Sequence, residues 1–207
     1  MKYVKMLGLA AVAAAALMAF VGASTASATT LTNGTTAMKA GDAIHANNSG
    51  TVTLTTTFKN ITCTESTVAG TISNAGGFKE NEKKEKEDIA VSGSVETLTW
   101  GGCNCEVKTL AGGSLSISSN GANSGAVTSS NAEVTAQCNG TIFGNVHCIY
   151  ATGAGTSLGT LNGGTGAKLE VKENNIPRLA TSAICAEKAH WDATYVVDTP
   201  ATLNVDQ

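Results

Sequence analysis

Six cysteines constrain this chain more than any other feature of its sequence. They are Cys63, Cys103, Cys105, Cys138, Cys148 and Cys185, and all of them lie beyond an apolar N-terminal run. Cysteines in an exported chain usually form disulfides, and an even number leaves no thiol without a possible partner. The sequence therefore predicts a disulfide-stapled protein, although spacing alone does not choose among the possible pairings.

The N-terminus has the parts of a secretory signal peptide. Two lysines precede an uninterrupted apolar run at 6–21, and Ala26-Ser27-Ala28 places small residues before a cleavage point. An uncleaved membrane anchor is the alternative, but the run is short for a bilayer core, which takes about 20 residues. We therefore expect a signal peptide at 1–28, cleavage after Ala28, and a single secreted domain at 29–207 with no membrane contact after cleavage.

The charge balance disfavours nucleic acid and anionic lipid as partners. The chain has 13 basic and 16 acidic residues, and loss of the two leader lysines changes the formal net charge from −3 to −5. A mildly acidic surface does not attract polyanions. The net charge does not exclude a cell-surface or glycan partner.

Strict alternation of apolar and polar residues recurs through the mature region, and helical periodicity is almost absent. The clearest examples are 52–58, 132–138 and 191–197. About a dozen short strands with Gly- and Asn-rich turns are typical of antiparallel architectures. The fold class predicted is all-β: an immunoglobulin-like or other Greek-key β-sandwich, with a β-barrel as the alternative.

One segment, 79–88, departs from this alternation, because nine of its ten residues are charged. Its signs are mixed and sum to −1, so it would not generate a strong field. We interpret it as a solvated hairpin tip or a short exposed helical excursion. The alternative is a recognition loop for a charged partner.

The stretch Gly101-Gly102-Cys103-Asn104-Cys105 follows a strand-like run that ends at Trp100. Residues i and i+2 of an unbroken strand point the same way, so the two cysteines would share a face. Such neighbours reach two different partners more naturally than each other. We therefore predict a double anchor that ties one strand end to two other parts of the fold.

Two hypotheses for the other pairings stay open at this point. Cys138 and Cys148 flank a Gly- and Asn-containing loop and would bridge if they faced each other across a hairpin. The rival pairing joins Cys148 to Cys185. In either case Cys63 is expected to reach Cys103 or Cys105.

No motif predicts a catalytic, cofactor-binding or metal-binding residue. Gly155 to Gly159 matches G-x-S-x-G around Ser157, but nothing predicts the strand-to-helix turn that a nucleophilic serine needs. The three histidines, none within a recognisable motif, are His45, His147 and His190. The spacing of the cysteines with His147 is not a zinc-finger pattern. We predict no enzyme activity and no cofactor.

Aromatic residues bear on carbohydrate binding, because exposed rings stack on sugars. Five of the seven aromatic residues of the mature region alternate with other apolar residues, which indicates core positions. Phe78 and Phe143 fall in turn regions and are the candidates for an exposed platform.

Six short pieces spread along the chain carry a resemblance to known proteins: Ile61-Thr62-Cys63, Val91-Ser92-Gly93-Ser94-Val95, Leu98-Thr99-Trp100 with the stretch 101–105, Cys148-Ile149-Tyr150, 158–164 and 191–195. Through them the whole mature chain resembles a group of uncharacterised secreted β-rich proteins of high-GC actinobacteria. The resemblance implies export and a β fold, and it brings no known activity. The charged run at 79–88 is unusual for the group.

These observations predict a secreted, non-enzymatic structural or binding protein of the cell envelope or extracellular space. The alternative is a carbohydrate- or surface-binding module. A third hypothesis is a hydrolase whose site has no recognisable motif.

Overall fold

The computed structural model describes residues 28–142, 144–179 and 184–207, and its regular structure is entirely β. The predicted signal peptide lies outside these residues except for Ala28. The strands, in chain order, are β1 (Thr30–Asn33), β2 (Thr36–Ala37), β3 (Ala43–Asn48), β4 (Val52–Thr55), β5 (Asn60–Cys63), β6 (Glu65–Asn74), β7 (Gly77–Glu80), β8 (Lys86–Ile89), β9 (Val91–Gly101), β10 (Glu106–Ala111), β11 (Ser114–Gly121), β12 (Ser124–Ser130), β13 (Glu133–Thr141), β14 (Gly144–Ala151), β15 (Thr156–Asn162), β16 (Gly164–Thr165), β17 (Lys168–Leu179), β18 (Lys188–Thr199) and β19 (Thr202–Asp206).

Eight of these strands close into an antiparallel barrel. The hydrogen-bonded order is β17-β15-β12-β11-β9-β6-β3-β18, and β18 pairs back onto β17. Closure occurs at the start of β17, where Lys168 pairs with Asn162 on one side and with Val196 on the other. The predicted all-β class is confirmed and the closed ring matches the barrel alternative. The immunoglobulin-like or Greek-key sandwich is not confirmed, because a sheet closed on itself does not form two separate facing sheets.

Glycines let neighbouring barrel strands approach closely where the register shifts. A Cβ at Gly70 would lie 1.9 Å from the Ser94 carbonyl oxygen, beside the shift in the β6–β9 pairing. A Cβ at Gly159 would lie 1.8 Å from the Glu170 carbonyl oxygen, beside the shift in the β12–β15 pairing. Because such irregularities bend a strand and increase its twist, they contribute the curvature that closure requires.

A second layer extends from the barrel where β17 and β18 continue past the closed ring. The end of β17 pairs with β14 through Arg178 and Tyr150, which adds β14, β13 and β10 to the sheet. The start of β18 pairs with β4, which adds β4 and β5. Ile61 of β5 is buried in one cluster with Ala136 and Cys138 of β13. The two extensions therefore enclose a small apolar core of their own.

A four-stranded sheet of order β16-β19-β1-β2 packs onto the apolar interior of the barrel. Its inward residues Leu31, Leu203 and Val205 are each 1% exposed. They belong to one buried cluster with Val127 and Leu161 of the barrel strands. Strands β1 and β19, from the two ends of the described residues, are thereby held against the same core.

The charged segment forms a hairpin of β7 and β8, which confirms the hairpin interpretation. Phe78 pairs with Asp88, and Lys79 pairs with Glu87 across the strands at 3.0 Å between Nζ and Oε2. Asn81 organises the turn, since its Oδ1 accepts hydrogen bonds from the backbone N–H groups of Lys83 and Glu85. The helical alternative is therefore not realised.

All six cysteines pair, as Cys63–Cys103, Cys105–Cys138 and Cys148–Cys185, with Cα–Cα distances of 3.9, 4.7 and 5.7 Å. The double anchor at Cys103 and Cys105 is confirmed, since one binds the end of β5 and the other binds β13. The assumption of an unbroken strand was wrong: both cysteines lie in the bend between β9 and β10.

The hairpin bridge between Cys138 and Cys148 is also wrong, and the rival pairing with Cys185 is correct. In the β13–β14 ladder Cys138 pairs with Val146, whereas Cys148 pairs with Ala136. The two cysteines are therefore diagonal neighbours, about 7–8 Å apart. That separation is too long for a disulfide, whose two Cα atoms lie at most about 7 Å apart.

Within the described ranges no helix is long and apolar enough to cross a membrane.

Candidate functional site

An apolar cavity of about 90 Å³ lies inside the barrel. Its walls are almost wholly apolar, and the side chains of Ile44, Val68, Val91, Leu115 and Leu161 represent five of the lining strands. Alternation along each strand places every second side chain in this interior. Such a cavity offers dispersion contacts and no charge.

Tyr195 supplies a polar atom at this cavity, but its hydroxyl already has a partner. The side chain is fully buried, and its Oη lies 2.9 Å from Ser66 Oγ. Burial raises the pKa of Tyr195 to about 12, against the opposing effect of the Ser66 hydrogen bond. The Tyr195 hydroxyl therefore stays protonated at neutral pH, and its hydrogen bond to Ser66 positions the ring rather than recognising a ligand.

A smaller cavity of about 40 Å³ lies where the barrel meets the second layer. The indole rings of Trp100 and Trp191 line it at a centroid distance of 5.9 Å. Trp100 Nε1 donates to Thr109 Oγ1 at 3.0 Å, whereas the buried Trp191 Nε1 has no hydrogen-bond partner among the described residues. An unpaired buried N–H costs free energy, so the Trp191 indole nitrogen is one polar group that this junction leaves unsatisfied.

Tyr150 also lines the junction cavity, with a fully buried side chain. Its hydroxyl makes no hydrogen bond of good geometry within the described structure. Burial raises its pKa, and the nearby Arg178 guanidinium and the Ala186 backbone partly oppose that shift. The tyrosine is therefore neutral at physiological pH and acts as a packing residue.

The G-x-S-x-G match does not have the geometry of a nucleophile elbow. Ser157 is exposed within β15, where it pairs with Thr128 of β12. A serine nucleophile of that type sits on a tight turn between a strand and a helix. The position of Ser157 within a strand ladder therefore does not supply that turn.

The three histidines lie on three different strands, and each has its own local partner. His45 Nδ1 lies 2.6 Å from Asp198 Oδ1, and His147 Nε2 lies 2.5 Å from Thr135 Oγ1. His190 Nδ1 lies 2.9 Å from the Glu173 carbonyl oxygen. In the described ranges no group of three or more His, Cys, Asp or Glu side chains is arranged to hold a metal ion.

Sequence reasoning missed the network around Asp198 on the outer face of the barrel. Besides its contact with His45, Asp198 accepts a hydrogen bond from Asn47 Nδ2 at 2.8 Å, and Asn47 Oδ1 accepts one from Thr67 Oγ1 at 2.8 Å. The His45 hydrogen bond is the main reason that the pKa of Asp198 is lowered. Only the pairing of β18 with β3 brings these residues together, so no spacing in the sequence would have revealed them.

Of the two aromatic candidates for a sugar platform, Phe143 lies outside the described residues. Phe78 is 41% exposed, as predicted. The Lys86 ammonium sits over its ring at 5.1 Å from the centroid. One face of the ring is thereby engaged in a cation–π contact, which leaves a single face for stacking.

No protein-family model, no curated protein and no solved structure matches this chain. The resemblance to secreted actinobacterial proteins therefore stays a prediction. The structural features that bear most on function are the three disulfides and the closed barrel.

Proposed function

We propose that the protein is an exported, non-enzymatic structural or binding protein of the cell envelope or extracellular space, processed after Ala28. The observation that carries this proposal is the set of three disulfides, which uses every cysteine of the chain. Disulfides of this kind persist in oxidising compartments and are rare in the cytosol. The resemblance to secreted actinobacterial β proteins agrees with this assignment.

The size of the barrel cavity limits what the interior would bind. About 90 Å³ is smaller than the engineered apolar cavity of about 150 Å³ that accepts benzene or xenon. Drug-sized ligands occupy about 300–1,000 Å³. The interior therefore suits a xenon-sized apolar guest, and recognition of anything larger belongs to the outer surface of the barrel.

The test of this proposal begins with expression of the full chain in a bacterium that exports proteins. We expect the product outside the cytoplasm, with intact mass matching 29–207 minus six hydrogens. Non-reducing peptide mapping should recover the three pairs named above. Six free thiols, or a product that stays in the cytoplasm with its leader attached, would refute the proposal.

A panel of esterase, protease and glycosidase substrates tests the non-enzymatic part. We expect no turnover with any of them. If an activity appears, loss of it in Ser157→Ala would assign it to the G-x-S-x-G strand, and loss of it in Asp198→Asn would assign it to the His45 network. Loss of activity in either variant would replace this proposal by the hydrolase hypothesis.

The exposed ring of Phe78 favours one alternative, a carbohydrate- or surface-binding module. A glycan array with the wild-type protein and with Phe78→Ala tests it. Leu110→Ala is a matched control, because Leu110 is also exposed (53%) but has no ring. Binding that Phe78→Ala abolishes and Leu110→Ala preserves would favour this alternative, whereas an array without signal would eliminate it.

A further inference from the structure

Thr29, the residue after the predicted cleavage point, is held by a single carboxylate. Its backbone nitrogen donates to Asp88 Oδ1 at 2.6 Å, and its hydroxyl donates to Asp88 Oδ2 at 2.8 Å. Both oxygens of Asp88 are thus directed to one residue that lies 59 positions earlier in the chain. This two-point contact joins the start of the mature chain to the charged hairpin.

Other contacts hold Thr29 at the same place. The backbone N–H of Ser119 in β11 donates to Thr29 Oγ1 at 2.9 Å, and Thr29 forms an isolated β-bridge with Gly77. A Cβ at Gly76 would lie 2.1 Å from the Thr29 carbonyl oxygen, so the hairpin stem approaches the Thr29 backbone directly. The side chain and backbone of Thr29 together are only 1% exposed.

We propose that Asp88 is the binding site for the N-terminal ammonium group that removal of the leader creates. This inference rests on the proposed export and processing after Ala28. Hydrolysis of the Ala28–Thr29 bond by a leader peptidase consumes one water, leaves the carboxylate on Ala28, and frees an amine on Thr29. That amine takes up a proton at neutral pH, since α-amino groups have a pKa of about 8.

The structure places the opposite charge where this ammonium would form. Before cleavage the Thr29 nitrogen is a neutral amide donor, and after cleavage it carries a positive charge at the same position. Hydrogen bonds between ionised partners are roughly twice as strong as neutral ones. Burial of an unpaired ammonium would oppose folding, so a carboxylate at this point stabilises the processed chain specifically.

The burial of Thr29 also sets the order of events. A peptidase needs access to an extended segment around the bond that it cuts, and Thr29 has almost no exposed surface in the folded protein. Cleavage therefore precedes folding of this region, and folding then encloses the new terminus between β11 and the charged hairpin. In this account the hairpin at 77–89 serves as a clamp for the processed end of the chain.

A double-mutant cycle tests the inference. One chain starts at Thr29 and carries the free ammonium, and a second starts at Ala28, so that the Thr29 nitrogen stays an amide as in the structure. Asp88→Asn is introduced into both. Because Asp88 is itself exposed to solvent and its charge is screened, we expect the folding equilibrium constant to fall about three- to tenfold more in the Thr29 chain than in the Ala28 chain.

Glu87→Gln is the matched control, because it removes the same charge from the neighbouring residue, whose carboxylate pairs with Lys79 instead. It should destabilise the two chains equally. Equal losses from Asp88→Asn in the two chains would overturn the inference, because Asp88 would then bind only the Thr29 amide and hydroxyl.

A second comparison avoids any variant that fails to fold. Acetylation of the Thr29 terminus in the wild-type chain should lower its stability to that of the Ala28 chain, and an unchanged stability would overturn the inference. Sequencing the N-terminus of the exported protein tests the processing separately. A first residue other than Thr29 would refute the proposed cleavage point. It would leave the result of the double-mutant cycle unaffected, because the first residues of those two chains are chosen in advance.

Discussion

His45, Asn47 and Asp198 form a hydrogen-bonded network in which each side chain has a polar partner. The side chains of His45 and Asp198 are 38% and 47% exposed, so solvent and salt weaken the charge interaction between them. A catalytic His–Asp pair would in addition need a nucleophile, and the hydrogen bonds of this network end at Thr67. We therefore interpret the network as a surface contact that links β18 to β3.

The His45 contact predicts a change in the titration of Asp198. Because the hydrogen bond from His45 is the main cause of the lowered pKa, His45→Ala should raise the pKa of Asp198 toward its ordinary value of about 3.9. Carboxyl-carbon NMR titration measures this. His147→Ala is the control, since its partner is Thr135 and it should leave Asp198 unchanged.

The sign of the pH dependence follows from the direction of that shift. A carboxyl group with a lowered pKa in the folded state stabilises the protein above its unfolded pKa, and that stabilisation is lost as the pH falls through the folded pKa. Wild type and His45→Ala should therefore differ in stability at neutral pH and converge in acid. An identical Asp198 titration in the two proteins would contradict the assigned cause.

At the scale of elements, two disulfides tie the bend between β9 and β10 to strands of the second layer. Cys63–Cys103 joins the end of β5 to the bend after β9, and Cys105–Cys138 joins that bend to β13. The bend is therefore attached to both extensions of the second layer. The C-x-C spacing predicted two different partners because cysteines two positions apart on one face reach other strands more naturally than each other. Which strands supply the partners depends on how β17 and β18 continue past the closed ring.

The two disulfides at this bend should differ in their contribution to stability. The closed loops are similar, with sequence separations of 40 and 33, so the chain-entropy contribution of each is about 2–4 kcal/mol. Cys105 and Cys138 are both buried, in one cluster with Ile61, whereas Cys103 is partly exposed. Replacing Cys105 and Cys138 by Ala should therefore cost about 1 kcal/mol more than replacing Cys63 and Cys103, because it also opens a cavity.

Urea denaturation of the two paired variants measures this difference in free energy of unfolding. Equal losses would mean that the cluster around Cys138 repacks without a cavity.

At the scale of the whole molecule, closure of the barrel leaves an interior that side chains fill incompletely. Eight strands make a barrel just wide enough for side chains to fill, and small residues such as Ala46 and Gly70 line its remaining space. The interior cluster also buries residues of β1 and β19, so the first and last strands of the described structure depend on it. Packing in this interior therefore affects the stability of the entire fold.

Ala46→Val should stabilise the protein, by about 0.5–2 kcal/mol, since two added methyl groups occupy existing space and valine suits a strand. Ala136→Val is the matched control: Ala136 is fully buried in the cluster of the second layer and lines neither cavity, so overpacking there should cost about 1–3 kcal/mol. Thermal and urea unfolding give both values. Equal destabilisation by the two substitutions would mean that the barrel cavity is not available to the added methyl groups.

The sequence by itself determined the local structure of this protein. Alternation at 132–138 and 191–197 predicted strands because the side-chain period of a strand is two. The charged run at 79–88 predicted an exposed hairpin tip or helical excursion because its charges have no place in a core. The tertiary structure alone decided that the sheet closes, that Cys148 pairs with Cys185, and that Asp88 reaches Thr29. Those outcomes depend on register between strands distant in the chain, such as the double pairing of β17 with β15 and β18. Alternation is the same for an open and for a closed sheet, so it contains no information on closure.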